Sequence, residues 1–178
     1  MAGQNTRPAD SRSGAVAKDA HRRRAGTAAH SGMGAGAAGV AAAKRGCQVT
    51  AVDINPSAVR CTRINALLNG VEIDVRQGDL FAPVQNERFD VVLFNPPYYR
   101  GVPQSPLDHA WRSPDVIERF ADQLGPHLDG HALLVLSSDG EQDTILSSLQ
   151  RAGFGARTVA RRDLINETLS VYLLSPQC

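Results

Sequence analysis

The 178-residue sequence has few cysteines, few aromatic residues and almost no net charge. Its three cysteines, Cys47, Cys61 and Cys178, lack the CxxC or CxH spacing of zinc ligands, which argues against a structural zinc site or a disulfide scaffold. Such cysteine usage suits a reducing cytoplasm. The formal charge of +1 leaves no basic excess for a long nucleic-acid footprint. No apolar run reaches the roughly 18 residues of a membrane-spanning helix. We therefore expect a cytoplasmic protein without a metal site or a membrane partner.

Large apolar side chains are nearly absent from the first forty residues. Between Ala2 and Gly39 they are represented by Val16 and Met33 alone. Such a stretch buries too little surface to offset the entropy that is lost when it becomes ordered. We predict that residues 1–30 form an atypical, disordered N-terminal segment and that residues 31–178 form one domain.

The rest of the chain alternates between helix and strand patterns. The predicted helices cover residues 37–44, 55–69, 113–124 and 143–149, and the predicted strands cover residues 47–52, 71–75, 89–94, 132–136 and 168–174. Helix 55–69 begins at Asn55 and Pro56, which favour a helix start. Its predicted apolar stripe consists of Val59, Ile64, Leu67 and Leu68. This alternation predicts an α/β fold, a mostly parallel sheet with helices on both faces.

Two aspartates follow predicted strands. In such folds ligands bind beyond the carboxyl ends of the strands, where Asp53 and Asp79 are expected to lie. A carboxylate at Asp53 is suited to accept both hydroxyl hydrogens of a ribose. Asp79 is placed to accept from the exocyclic amine of an adenine, although a plain turn residue after Gly78 is a nearly equal interpretation.

The segment Asn95-Pro96-Pro97-Tyr98 is the sharpest signal in the chain. The two prolines lack N–H groups, so the backbone carbonyls around them are left free to accept hydrogen bonds. The Asn95 oxygen and the Pro96 carbonyl can together hold both hydrogens of a planar NH2 group. Tyr98 supplies a ring for stacking on a flat amide or base. This arrangement favours catalysis by positioning a weakly nucleophilic nitrogen against a methyl donor.

From about Gly34 onward the chain resembles class I S-adenosylmethionine-dependent methyltransferases with an NPPY signature. It is most similar to the short HemK2/Mtq2-type protein glutamine methyltransferases, and the stretches that carry the resemblance are AVDINPSAVRCTRINALLNGV, FDVVLFNPPYYRG, LDHAWRS and NETLSVYLL. The resemblance implies a seven-stranded Rossmann-like sheet. It also implies that S-adenosylmethionine is the cofactor, that a glutamine of peptide-chain release factors is the acceptor, and that a small activator subunit is a partner.

The same resemblance assigns roles to individual residues. The catalytic residues would be Asn95, Pro96, Pro97 and Tyr98, which hold the acceptor nitrogen. The cofactor-binding residues would be Gly32, Gly34, Gly36, Asp53, Ile54, Asp79, Leu80 and Asn95, with Asp53 on the ribose and Asp79 near the adenine.

The expected first strand of this fold is hard to find in the sequence. The glycines from Gly32 to Gly36 keep the spacing of the cofactor loop, but residues 26–31 before them contain no Val, Ile or Leu. We therefore predict that the first, normally central strand is missing or degenerate. A non-catalytic scaffold would follow if this start of the domain no longer binds the cofactor.

Two other enzyme classes stay open. Residues 34–39 also match GxGxxG, the fingerprint of NAD- or FAD-binding oxidoreductases, but no predicted strand precedes them. The Asn-Pro-Pro-Tyr segment also serves adenine N6 in DNA or RNA methyltransferases, because an amide and an exocyclic amine present the same planar NH2. A nucleic-acid substrate is less favoured, since such enzymes need additional basic surface.

Overall fold

The computed structural model describes residues 24–28, 36–97 and 115–177, and for residues 24–28 it describes the backbone alone. The helices are α1 (Ala37–Lys44), α2 (Pro56–Leu68), α3 (Val116–His127) and α4 (Gln142–Arg151), with a short 3-10 helix at Ala82–Val84. The strands are β1 (Arg24–Ala28), β2 (Gln48–Asp53), β3 (Asp74–Gln77), β4 (Phe89–Phe94), β5 (Leu128–Ser137), β6 (Phe154–Asp163) and β7 (Thr168–Pro176).

The described strands form one seven-stranded sheet in the order β3-β2-β1-β4-β5-β7-β6. The first five strands in this order pair in parallel, and β7 runs antiparallel between β5 and β6. Because β2 follows β1 on one side and β4 lies on its other side, the chain changes direction across the sheet at β1. The predicted α/β class with a mostly parallel sheet is confirmed.

The first strand, which we predicted to be missing or degenerate, is present. Strand β1 occupies the centre of the sheet, with Ala28 beside Val52 of β2 and Thr27 beside Leu93 of β4. Its sequence, RAGTA, carries no large apolar residue, but two parallel neighbours satisfy its backbone hydrogen-bonding groups on both sides. Tertiary pairing thus overrides weak strand propensity. This strand lies within the predicted N-terminal segment 1–30, and the rest of that segment lies outside the described residues.

Strand β6 was not predicted. Apart from Phe154 and Gly155 its residues are exposed, so it lacks the apolar alternation that marks a half-buried strand. It forms through antiparallel pairing with β7 at one edge of the sheet. Its exposed arginines, Arg157, Arg161 and Arg162, are typical of an edge strand that is protected from pairing with other chains.

The main core lies between the sheet and helices α3 and α4. Phe120 of α3 is fully buried and stacks on Phe94, at 4.2 Å between ring centroids, and on Phe81, at 5.7 Å. Phe94 is the last residue of β4, and Phe81 precedes the 3-10 helix. This aromatic cluster fixes α3 against the two segments that carry Asn95 and Asp79.

Helix α2 departs from the predicted apolar stripe. Its cap is as expected, since Asn55 Oδ1 accepts the Ser57 N–H at 2.9 Å, and Val59 is buried. The other predicted members of the stripe are exposed, at 46% for Ile64, 80% for Leu67 and 75% for Leu68. The helix instead buries a narrower face of smaller side chains, Ala58, Val59, Thr62 and Ala66. None of the helices in the described part of the chain is long and apolar enough to cross a bilayer.

Two leucine-to-alanine substitutions test this distribution of buried surface. Leu124 of α3 has no exposed surface, whereas Leu67 of α2 is mostly exposed. We expect Leu124→Ala to lower the free energy of unfolding by about 2–5 kcal/mol, because it leaves a cavity. Leu67→Ala should change it by less than about 0.5 kcal/mol. Urea denaturation of both variants checks this, and equal losses would contradict the assignment of α2.

Candidate active site

The predicted site residues follow the carboxyl ends of adjacent parallel strands. Asp53 ends β2, Asn95 follows β4, and β1 lies between these two strands. With neighbouring strands about 4.8 Å apart, Asp53 and Asn95 begin roughly 10 Å from each other on either side of the β1 end. This is the point where the strand order reverses, and ligands of open α/β sheets bind in the crevice there.

Asp53 is almost buried, at 5% exposure. Its Oδ1 accepts the backbone N–H of Asn55 at 2.8 Å, and Asn55 in turn caps α2. Its backbone carbonyl accepts the Gly78 N–H at 3.0 Å, which ties the end of β2 to the end of β3. Ile54 follows it and is half-buried. The local hydrogen bonds thus hold the Asp53 carboxylate in one orientation at the crevice.

Asp79 lies just beyond β3 and makes an ion pair with Arg119 of α3 through its Oδ2. Its Oδ1 is buried and has no hydrogen-bond partner among the residues that the structure describes. A buried acceptor without a donor is unfavourable, so a donor from a ligand would be stabilised there. The next residue, Leu80, is 2% exposed and has a φ of 47°. This left-handed conformation is strained for leucine and concentrates at binding and catalytic sites.

Arg119 was missed in the sequence. It bonds to Asp115 Oδ1 at 3.1 Å as well as to Asp79. Desolvation lowers its pKa, but the hydrogen bonds and Coulombic attraction of Asp79 and Asp115 outweigh this effect and raise the pKa above its ordinary value. The i, i+4 spacing of Asp115 and Arg119 was visible in the sequence. The Asp79 contact, between residues 40 positions apart, was not.

Asn95 and the two prolines directly follow the end of β4. Pro96 and Pro97 are buried, and Asn95 is half-buried. Asn95 Oδ1 is buried and accepts no hydrogen bond from the described residues. The adjacent prolines have no N–H groups, so they bring no donor to this oxygen. Within the part of the chain that the structure describes, no donor therefore satisfies this acceptor at the crevice.

Gly36 connects the predicted cofactor loop to α1. It is buried with a φ of 74°, and a Cβ on it would lie 2.5 Å from Thr62 Cγ2 of α2. Its carbonyl accepts the Val40 N–H at 2.8 Å. The backbone thus requires glycine at this position both for its conformation and for its close approach to α2. Gly32, Gly34 and Tyr98 lie outside the described residues.

A prominent cavity of the described residues lies away from this crevice. It has a volume of about 690 Å³ and is bordered by the start of β2, the end of α2 and edge strand β3. Its lining combines apolar side chains, such as Leu67 and Ile73, with charged ones, such as Arg63, Glu72 and Arg76. None of the predicted site residues lines it, so we refer to it as the α2–β3 groove and treat it separately.

Comparison with known proteins assigns the chain to a family. The model of the Methyltransferase small domain matches residues 7–158, which is most of the chain. The chain belongs to that family. Methyl transfer is therefore its activity, and the predicted resemblance to glutamine methyltransferases is confirmed. The match begins well before residue 31, where we predicted the start of the domain.

Two curated relatives and one solved structure illustrate the similarity. A Methanocaldococcus jannaschii protein, named for protein N5-glutamine methylation, is 35% identical over 79% of this chain and 76% of its own length. Methyltransferase HEMK2 of Homo sapiens is 34% identical over 67% of this chain and 62% of its own. The E. cuniculi Mtq2–Trm112 complex matches with a TM-score of 0.62 and 22% identity, covering 88% of this chain and 87% of that chain.

Other relatives are longer than this chain. It spans about half (49%) of the release factor glutamine methyltransferase of Geobacter sulfurreducens, at 29% identity. It spans 31% of the ribosomal RNA small subunit methyltransferase C of Alcanivorax borkumensis, at 33% identity over 62% of this chain. The relatives of this chain therefore include proteins named for the methylation of a protein and proteins named for the methylation of RNA.

Substitutions of two glycines test the close approach at Gly36. Gly36 and Gly46 both have positive φ, but a Cβ at Gly46 would meet nothing within 4 Å. Gly46→Ala should lower the free energy of unfolding by about 1–2 kcal/mol through backbone strain alone. We expect Gly36→Ala to lower it by at least about 1 kcal/mol more, because Thr62 must move.

The paired variant Thr62→Ala isolates the steric part. Adding Thr62→Ala should recover part of the loss in Gly36→Ala but none of the loss in Gly46→Ala, as measured by thermal and urea denaturation. The same loss for both glycines, with no recovery, would disprove the contact.

Proposed function

We propose that this protein is an S-adenosylmethionine-dependent N-methyltransferase that acts on the side-chain amide of a protein glutamine, as in release factors. The observation that carries the proposal is the Oδ1 of Asn95, which follows the end of β4, is buried and has no hydrogen-bond partner among the described residues. A primary amide supplies two N–H donors in one plane, which is the chemistry that this oxygen and the Pro96 carbonyl are suited to accept.

The cofactor is supported by the donor set around the crevice. Asp53, fixed by the Asn55 N–H, would accept the ribose hydroxyls, and Asp79 Oδ1 would accept the adenine amine. Gly36, whose backbone lies close to Thr62 of α2, would hold the end of the predicted cofactor loop in place. S-adenosylmethionine supplies a methyl group on a sulfonium, which makes the transfer a displacement that leaves a neutral thioether.

Asn95 and Pro96 would contribute by binding and orientation. Their oxygens hold the amide N–H groups so that the nitrogen faces the methyl group, and these hydrogen bonds strengthen as positive charge develops on that nitrogen. With the cofactor bound, the acceptor nitrogen would form a bond to the methyl carbon as the sulfur–carbon bond breaks, and the electron pair of that bond would stay on the sulfur. The nitrogen then loses a proton to water. No general base is needed before the transfer, because the charge arises only during it.

Protein glutamine is favoured over RNA by the relatives named for glutamine methylation. An RNA base is the second candidate, because relatives named for ribosomal RNA methylation belong to the same comparison. A formal charge of +1 provides little electrostatic attraction for RNA. A cytoplasmic location stays a prediction.

The acceptor is tested by direct methylation. Purified protein with labelled S-adenosylmethionine should methylate a release-factor peptide containing Gly-Gly-Gln, and mass spectrometry should place one methyl group on the glutamine. The same peptide with the glutamine replaced by alanine is the control. Methylation of ribosomal RNA but not of the peptide would overturn the choice of acceptor, and methylation of neither would overturn the proposed activity.

Asn95→Ala tests the site itself. We expect kcat to fall by about 10²–10³, because one oriented acceptor for the reacting amide is lost. The affinity for S-adenosylhomocysteine, measured by calorimetry, should change far less. Asn86→Ala, the same substitution at an exposed residue before β4, serves as a matched surface control and should leave kcat unchanged. If the Asn95→Ala variant keeps the wild-type kcat, Asn95 is not a catalytic residue.

We further propose that the α2–β3 groove binds a small activator subunit of the kind present in the Mtq2–Trm112 complex. Edge strand β3 lies at one end of the described sheet, so its outer backbone groups face away from β2. Beside it, Ile64, Leu67 and Leu68 form an exposed apolar patch on α2. An edge strand beside an exposed apolar patch is suited to a protein that adds a strand and buries side chains. The charged side chains in the groove lining, among them Arg63 and Glu72, would add polar contacts to such a partner.

The E. cuniculi Trm112 subunit is a direct probe of this surface. We expect it to bind the wild-type chain in calorimetric titration, and we expect the combined Leu67→Asp and Leu68→Asp variant to lose binding. Val159→Asp, at an exposed apolar residue on the opposite edge strand β6, is the matched control. Binding that persists in the α2 variant, or that is absent in the wild type, would overturn the proposed surface.

A further inference from the structure

We propose that Arg119 is a positioning residue that makes the protein selective for the adenine base of its cofactor, acting through Asp79. The inference rests on the proposed function, since it assumes that a nucleoside cofactor binds at the crevice. It goes beyond that function by assigning base selectivity to an ion pair with a helix residue.

The two carboxylate oxygens of Asp79 differ in their contacts. Arg119 takes Oδ2, while Oδ1 is buried and has no partner in the described part of the chain. The guanidinium is a permanently charged donor, so its contact with Oδ2 restrains the rotation of the carboxylate. Oδ1 is thereby left as one oriented acceptor, without the freedom to rotate away.

Arg119 is itself held from two directions. Asp115, one turn earlier on the same chain, binds its Nε at 3.1 Å. The next residue, Phe120, has no exposed surface and stacks between Phe94 and Phe81. Because Phe94 adjoins Asn95 and Phe81 lies two residues beyond Asp79, α3 is anchored to both sides of the crevice. The packing of Phe120 therefore fixes the part of α3 that carries Arg119, and this places the guanidinium beside Asp79.

A fixed acceptor distinguishes adenine from hypoxanthine. The 6-amino group of adenine donates a hydrogen bond to a carboxylate oxygen, whereas the 6-oxo group of hypoxanthine presents a second acceptor and repels it. A purely structural tie between α3 and the β3 end would instead affect both bases equally. The discrimination between the two bases, and not the affinity alone, is the quantity that separates these roles.

The experiment measures calorimetric dissociation constants of S-adenosylhomocysteine and S-inosylhomocysteine for the full chain. In wild type the adenosyl compound should bind more tightly. In Arg119→Ala the ratio between the two constants should fall by about tenfold, the scale of one charge-assisted hydrogen bond. Arg119→Lys should keep most of the ratio, because it retains the charge and a donor.

A double-mutant cycle tests whether Arg119 acts through Asp79. In an Asp79→Ala background, adding Arg119→Ala should change the ratio by less than about twofold. Arg88→Ala is the control. Arg88 also makes an ion pair, with Asp129, but it directly precedes β4 and so lies at the amino ends of the parallel strands, away from the crevice at their carboxyl ends. That variant should keep the wild-type ratio, whatever it does to thermal stability.

The outcomes separate the two proposals. If wild type binds neither compound, the proposed function fails and the inference fails with it. If wild type discriminates but Arg119→Ala weakens both compounds equally, Arg119 is a structural tie and the inference alone is overturned. A ratio that rises in Arg119→Ala would show that Arg119 competes with the adenine for Asp79, and this too would overturn it.

Discussion

The parallel pairing of β1 with β2 on one side and β4 on the other is the constraint on which the rest of the structure depends. It brings the ends of two strands that are distant in sequence to within roughly two strand spacings of each other. Asp53 and Asn95 owe their proximity to this pairing. The crevice between them exists because the chain reverses its direction across the sheet at β1. Every role considered for these residues follows from that placement.

Around this centre the protein leaves selected acceptors unsatisfied. Asp79 Oδ1 and Asn95 Oδ1 are buried without partners in the described residues, whereas most polar groups of a folded protein are bonded. The Asp79 pair with Arg119 and the strained Leu80 backbone lie at the same place. Unsatisfied acceptors and backbone strain reduce stability unless a ligand compensates for them. They are concentrated at the carboxyl ends of the strands, away from the α2–β3 groove, whose lining combines apolar side chains with charged ones.

The sequence revealed those parts that depend on local patterns. The buried strand before Asn95 and the cap after Asp53 are marked by apolar runs and by helix-start residues, and both lie where they were predicted. Strand β1 was missed because RAGTA has weak strand propensity and is formed by its neighbours. Strand β6 was missed because nearly all of its residues are exposed. The Arg119–Asp79 contact joins residues far apart in sequence, and no local spacing reports it.

The turn from β2 into α2 uses one short segment for two purposes. Asp53 Oδ1 accepts the Asn55 N–H, and Asn55 caps the helix, so the carboxylate at the crevice and the first turn of α2 share a chain of hydrogen bonds. Helix ends open more readily than helix centres. A molecule that binds the Asp53 carboxylate therefore restrains this opening. Its binding should slow amide-proton exchange at Ser57, although the molecule does not contact the helix.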